Sequence, residues 1–442
     1  MIERPTVDRP SAWTFPTGAS HRLSCGADLL TFDLPGQHVV SAQVVLPMPL
    51  HTEPEHLEGV GTIMARTLDE GAAGRDAEQM MELMERTGMA FHAGAGERGL
   101  AVDVDVPARR LDQAVPLLVD ILTEPMFGEA EVARHVRSRL AEIDQEDANP
   151  GARAAREFAA TFYRAGTRAS RPTAGRRDTV GAITADDVRA HHARLGARGA
   201  TVVIAGDLRD LDIESVDAAF ARWTDAGMDT APAPLERAED AERVVVVDRP
   251  GSVQSELHLG CASPDRRVPG GWAPFPVIAY LLGGAPQARL DAVLREEKGY
   301  TYGMRSIARP RTDGGLFVAS GSVRTEVTAQ SVDLALGILD GAVEGFTPEE
   351  TRAGVDFLSL TAPGRFATAD AVASEAAARA MDGLGTAHTS EVIADTLTLT
   401  PERLTAAYTD HVDRRWTVVV VGDAEVIRPD LEAAGHTVTV VS

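Results

Sequence analysis

Few residues in this chain are spaced for chemistry, and most of those fail on context. Gly94 to Gly99 (GAGERG) has the spacing of a dinucleotide-binding loop. That chemistry needs a strand before the glycines and a helix N-terminus after them, facing the pyrophosphate. Here a strand-like run follows, so the segment reads as a hairpin turn. There is no GxSxG elbow, phosphate-binding loop or CxxC pair. His191 and His192 are adjacent on a helical stretch and point to different faces, a poor arrangement for sharing a metal. His51 and His56 bracket a proline-containing loop, HTEPEH, without the spacing of a zinc helix. What remains is Arg295 and Tyr302, seven positions apart in Leu281 to Tyr302, LLGGAPQARLDAVLREEKGYTY. An arginine in the last turn of a helix complements the C-terminal dipole. A tyrosine beyond it reads as a strand aromatic, so residue type alone leaves a structural reading open for both.

The elements that must position these residues are drawn from 442 residues with 44% hydrophobic content, enough for two or three domains that each bury a core. The chain has 43 basic and 66 acidic residues, a formal charge of −23, and Lys298 is its single lysine. Such a surface repels nucleic acid and anionic lipid, so neither is expected as a partner. Cys25 and Cys261 lie far apart in unlike surroundings, which suits a reducing compartment better than a disulfide framework. The first twenty residues hold no apolar run of signal-peptide length, and no stretch approaches the roughly 20 apolar residues of a membrane span. A cytoplasmic location is the expectation.

An internal repeat organises the chain. Alternating strand patterns at His38 to Pro49 and Val253 to Pro264 stand about 215 positions apart. Gly99 to Val106 and Gly315 to Ser322 follow at the same offset, each running into a helical stretch that closes on Ile121-Leu122 or Ile338-Leu339. Thr184 and Thr400 then open helices as N-caps, and Ala200 to Leu208 and Trp416 to Ala424 are apolar strands ending in Gly-Asp. Four landmarks at one offset imply duplication. The expected architecture is α+β, with two homologous domains, 1–225 and 243–442, each packing helices on a mainly antiparallel sheet, together a half-clamshell. Residues 226–242, rich in Ala, Pro and charge, read as an exposed linker.

With the motif and the duplication in hand, the chain resembles the pitrilysin and insulinase-type (M16) metallopeptidases over residues 20 to 440. In their second half these proteins read as a glycine pair, Ser-Arg-Leu, then L-R-E-x-x-G-x-x-Y. This chain has Gly283-Gly284, Ala288-Arg289-Leu290, and Leu294-Arg295-Glu296 through Gly299 to Tyr302. Ala288 departs from the usual serine. Val247 to Gly251 with Gln254, Gly314-Gly315, Val323 to Glu326 and Val421-Gly422-Asp423 also agree. The resemblance implies that Arg295 and Tyr302 bind the substrate and steady the scissile carbonyl, with Gly283 and Gly284 near the substrate. A cation and a phenol donor at a developing oxyanion favour the transition state over the ground state.

A self-sufficient member would carry HxxEH on the first helix of the first half. Aligning the glycines at 59 and 71 places Thr62, Ala65 and Arg66 where histidine, glutamate and histidine belong. Threonine is a poor zinc ligand, alanine has no proton acceptor, and a guanidinium repels the metal. The family's third ligand could correspond to Glu142, which reads otherwise as a solvated helix residue. The family's His-Pro-Tyr-Gly stretch is reduced to Ser170-Arg171-Pro172-Thr173. The resemblance therefore implies no cofactor on this chain and a heterodimeric partner bearing HxxEH and the zinc, the two enclosing a peptide substrate. A catalytically inactive scaffold of the same fold, or a homodimeric peptide-binding clamshell, are the alternatives.

Overall fold

The computed structural model describes residues 9–228 and 235–442. In the first half, β1 (Ala19–Arg22), β2 (Asp28–Asp33), β3 (Val39–Pro47), β4 (Ala90–Ala95), β5 (Gly99–Pro107) and β6 (Thr201–Gly206) form one sheet in the order β1-β2-β6-β3-β5-β4. In the second half, β7 (Val244–Asp248), β8 (Gln254–Ser263), β9 (Arg305–Pro310), β10 (Gly315–Arg324), β11 (Thr417–Gly422) and β12 (Val438–Val441) follow the order β12-β7-β11-β8-β10-β9. Five positions of the two sheets correspond one to one, which is the repeat made visible. The outer strand breaks the symmetry: β1 runs antiparallel to β2, whereas β12 runs parallel to β7. Both sheets are mainly antiparallel, with parallel pairs at β2–β6 and β11–β7. Gly96 N–H donates to Gly99 O, closing the β4–β5 hairpin where the dinucleotide-like string lies.

The two Thr caps form as the sequence predicts, Thr184 accepting from Asp187 N–H and Thr400 from Arg403 N–H. The helices Leu111–Thr123 and Thr328–Asp340 return from β5 and β10 and bury Ile121, Leu122 and Leu339. Four other helices matter below: α1 (Val60–Thr67), α2 (Glu129–Ala148), α3 (Pro150–Phe162) and α4 (Ala369–Met381).

The halves are less self-contained than their sequences imply. Every residue of β6 and β11 is buried, as expected for apolar strands without alternation, which need cover on both faces. Each half covers one face itself. The opposite face of the first sheet, at Phe32, Val45, Val203 and Ala205, is covered by α4 from the second half. That helix presents Ala369, Val372, Ala373, Ala376 and Ala377, a stripe at helical spacing whose small side chains admit close approach. Reciprocally α3, from the first half, lays Ala154, Phe158 and Phe162 on Val245, Val247, Val419 and Val421 of the second sheet. Gly260 in β8 lies under the Phe158 ring, and a Cβ there would meet it at 2.5 Å.

Part of the linker, residues 229–234, lies outside the described residues. The described remainder is not the free connector that composition implies. Ala241 is fully buried, Ala238 N–H donates to Phe162 O, and Arg237 stands 3.6 Å from Asp413. Among the described residues no helix is long and apolar enough to cross a membrane.

Candidate functional site

The segment carrying Arg295 and Tyr302 begins where the helix Pro274–Ala279 widens into a π-type turn, Tyr280–Gly284, and breaks at Gly283. A side chain at Gly283 would meet Ser306 N at 2.6 Å, so close approach to β9 demands glycine there. Gly283 is buried, and of the predicted pair only Gly284 keeps exposed surface. A second helix follows, Arg289–Asp291 continuing as Ala292–Glu297, with Leu290 and Leu294 fully buried. Arg289 is spent on the fold: it donates to Glu350 at 2.7 and 2.9 Å and to Gly345 O, and stacks over Phe346.

Gly299, at φ +64°, ends the helix. Its N–H donates to Arg295 O, and Tyr300 N–H to Leu294 O. Tyr302 is not the strand aromatic expected from its sequence, because β9 starts only at Arg305. It sits on the connecting loop, 90% exposed. That loop is nevertheless pinned on both flanks. Thr301 bridges Val323 and its hydroxyl donates to Ser322 O at 2.7 Å. On the other side Met304 N–H and Arg305 Nη1 donate to Asp291 at 2.7 and 2.8 Å. Arg295 is 43% exposed, 3.5 Å from Glu296 and at the 4.0 Å limit of contact with Asp291. One fully buried carboxylate, Asp291, thus ties the arginine's helix to the tyrosine's loop, a role the sequence reading missed. An aspartate between apolar helix positions, Leu290 and Val293, is the signal that was there to find. The arrangement holds a cation and a phenol at the surface with neither committed to the core.

The other candidate is α1, which the sequence resemblance aligns with the family's zinc helix. Gly59, at φ +100°, starts it, and the carboxylate of Glu53 accepts from Gly61 N–H at 3.0 Å and Gly59 N–H at 3.2 Å. Arg168 donates to the same carboxylate at 3.1 Å, and Arg171 donates to the buried Glu58 at 2.8 and 3.0 Å. Burial pushes the Glu53 carboxyl above its ordinary range despite these partners. Within the HTEPEH loop Glu53 is therefore the built-in group, while Glu55, His51 and His56 are exposed.

Further along α1, Thr62 is half-buried, Ala65 is buried, and Arg66 donates to Glu142 on α2 at 2.7 and 2.9 Å. Arg139 adds a contact at 3.2 Å. Arg66 first, and then Arg139, hold the Glu142 carboxyl below the usual carboxylate range. Glu142, its side chain 39% exposed, is thus a paired residue rather than the free solvated acid that the sequence alone suggests. It is brought to α1, where it meets the Arg66 guanidinium. This donor set does not fit zinc, since one carboxylate is already neutralised and Thr62 and Ala65 supply no imidazole or base. Among the described residues no group of three or more His, Cys, Asp or Glu side chains is placed to hold a metal ion. Of the paired histidines, burial pushes His191 down to about 4, and His192 lies 2.9 Å from Leu122 O.

Comparison with known proteins agrees with this geometry. Residues 29–175 match the family described as Insulinase (Peptidase family M16), and residues 182–357 match the Peptidase M16 inactive domain. The chain belongs to the M16 peptidase family. It is a member that lacks the catalytic zinc site. An uncharacterized zinc protease of Streptomyces coelicolor is 24% identical over 418 residues, covering 90% of this chain and 88% of that protein. The crystal structure of a peptidase M16 inactive domain from Pseudomonas fluorescens superposes with a TM-score of 0.84 at 22% identity, covering 92% of this chain and 98% of that one. A protease from Helicobacter pylori gives a TM-score of 0.83 at 15% identity over 92% of this chain and 99% of its own. A chain of complex III2 from Candida albicans gives 0.75 at 14% identity, over 94% and 99%. At these identities the structures share the M16 fold, with its two α+β domains.

Proposed function

We propose that this M16 chain is the zinc-free subunit of a two-chain metallopeptidase, working in the cytoplasm on peptides or unfolded segments. The observation that carries the reading is Tyr302, a large aromatic held 90% exposed on a loop pinned at Thr301, Met304 and Arg305. Holding an aromatic in the open has no folding benefit, and a half-exposed guanidinium on the preceding helix shares its anchor at Asp291. The partner subunit would bear HxxEH and the zinc. This chain would supply Arg295 and Tyr302 as donors to the substrate carbonyl, so that their bonds strengthen as negative charge grows on that oxygen. Removing one such donor typically costs on the order of 10²–10³ in kcat.

The scaffold reading draws on the Arg66–Glu142 pair, which turns a metal helix into a structural one, but it leaves the exposed Tyr302 without a use. The test is to purify the chain alone and with an HxxEH-bearing M16 chain from the same genome, and to assay peptide cleavage. Activity only in the pair, lost in Arg295→Ala and Tyr302→Phe, supports the proposal. A pair as active with both substitutions as without them, or no pair at all, supports the scaffold.

A further inference from the structure

The chain as a whole is acidic, with 66 acidic against 43 basic residues, yet the cleft between its halves has the opposite sign. A cavity of about 690 Å³ there is lined by seven arginines and two glutamates. It shares Arg266, Ile307, Ala308 and Pro310 with a neighbouring cavity of about 400 Å³ that reaches Arg379. Several of these arginines are committed: Arg139 to Glu146, Arg171 to Glu58, and Arg311 to Glu97 and the Tyr163 hydroxyl.

The excess gathers at one end. Arg98, Arg266 and Arg379 all converge on Asp382, whose side chain is 10% exposed. Arg379, nine-tenths buried, lies 3.1 Å from Asp382 and 3.3 Å from Glu375, but neither its Nε nor its Nη1 is aligned to donate a hydrogen bond. Arg309, exposed on β9 and lining the same cleft, has no carboxylate within salt-bridge distance among the described residues. Three guanidinia thus face two carboxylates in a partly enclosed space, where unbalanced charge is costly, and Arg309 adds a further cation to the lining of the same cleft. Burial, and after it the facing Arg379, push Arg266 down to about 10, so it stays charged at neutral pH.

We propose that this cleft is a binding site for a peptide segment carrying carboxylates, which would take up the guanidinium excess around Asp382 and Arg309. Ala155, Ala159, Ile307 and Leu316 line the cleft as well and give apolar contact to the rest of such a segment. A larger polyanion would meet the repulsion of the remaining surface before reaching it. The inference rests on the peptide-processing reading and narrows its substrate class to acidic sequences.

The experiment uses the full chain without a partner and two fluorescent peptides of one sequence, differing only in Glu against Gln at alternate positions. Anisotropy titrations are expected to show the Glu peptide binding about tenfold more tightly at low salt, with the gap closing as ionic strength rises. The double variant Arg266→Gln/Arg309→Gln, with an unchanged melting transition, should lose the preference, and Arg266→Lys/Arg309→Lys should keep much of it. Equal affinities for the two peptides, or an undiminished preference in the Gln variant, would overturn the proposal. So would full displacement of the Glu peptide by low-millimolar inorganic phosphate, since the site would then be selective for a small anion. Because the assay needs no partner, equal binding beside Arg295-dependent cleavage by the pair would sink this inference alone. A Glu preference without any cleavage would sink the peptidase reading instead.

Discussion

If α1 is a metal helix whose ligands have been replaced on an intact frame, restoring two of them should restore metal binding. Thr62 and Arg66 are four residues apart on α1, the spacing that aligns two side chains on one face. Arg66 already brings a positive group to 2.7 and 2.9 Å from Glu142. A cation held by histidines at 62 and 66 would therefore have that carboxylate within reach, at the usual zinc–oxygen distance of about 2.0–2.2 Å. Ala65 can stay as it is, which avoids placing a carboxylate at a position only 2% exposed. The double variant Thr62→His/Arg66→His first loses the ion pair, at a cost of about 1 kcal/mol for a pair this exposed. Zinc at a hundred times its dissociation constant then returns about 2.7 kcal/mol. A zinc-dependent rise in melting temperature, together with competition against a chelating dye, reads both steps. The reasoning is refuted if the folded double variant shows no zinc response up to millimolar metal, or if adding Glu142→Gln leaves its affinity unchanged.

Four other substitutions probe the frame. Glu142 has its carboxyl held below the ordinary value of 4.5 by Arg66, so the pair's contribution is present above that pH and is lost as pH falls through the folded value. Arg66→Ala should therefore lose about 1 kcal/mol in urea unfolding near neutral pH, and the gap to wild type should shrink below about pH 4. Glu53→Ala removes the acceptor of two α1 amides and leaves Arg168 short of a partner, at a cost of about 3–5 kcal/mol in the same measurement. Phe158→Ala empties the contact between α3 and the second sheet and should cost about 3–5 kcal/mol; Gly260→Ala, which drives a Cβ into the same ring, should cost about 1–3 kcal/mol.

Much of the frame was legible because it repeats. The offset of about 215 positions paired β3 with β8, β5 with β10 and β6 with β11, and the Thr caps fell where expected. The helix exchange was not legible. Phe158 and the alanine stripe of α4 look like any amphipathic face, and nothing local says that the surface they cover belongs to the other half. Only the unbroken apolar character of β6 and β11 hinted that both faces needed cover. Tyr302 reads as a strand residue because it follows the helix-ending Gly299, whereas the anchoring of Met304 and Arg305 by Asp291 delays β9 to Arg305. Glu142 was ambiguous for a different reason: an acid on an exposed helix looks solvated until the opposite helix is known to offer Arg66. Charge balance hid the arginine cleft, since a net −23 averages over a surface whose sign varies with place.

The most direct test of the account is the rate of peptide cleavage by this chain combined with an HxxEH-bearing M16 chain of the same genome, measured with Arg295 and Tyr302 intact and substituted. The account expects no cleavage from this chain alone, turnover by the pair, and a fall in kcat of about 10²–10³ for Arg295→Ala or Tyr302→Phe with the complex still assembled. Turnover by this chain alone, or a pair indifferent to both substitutions, would contradict it.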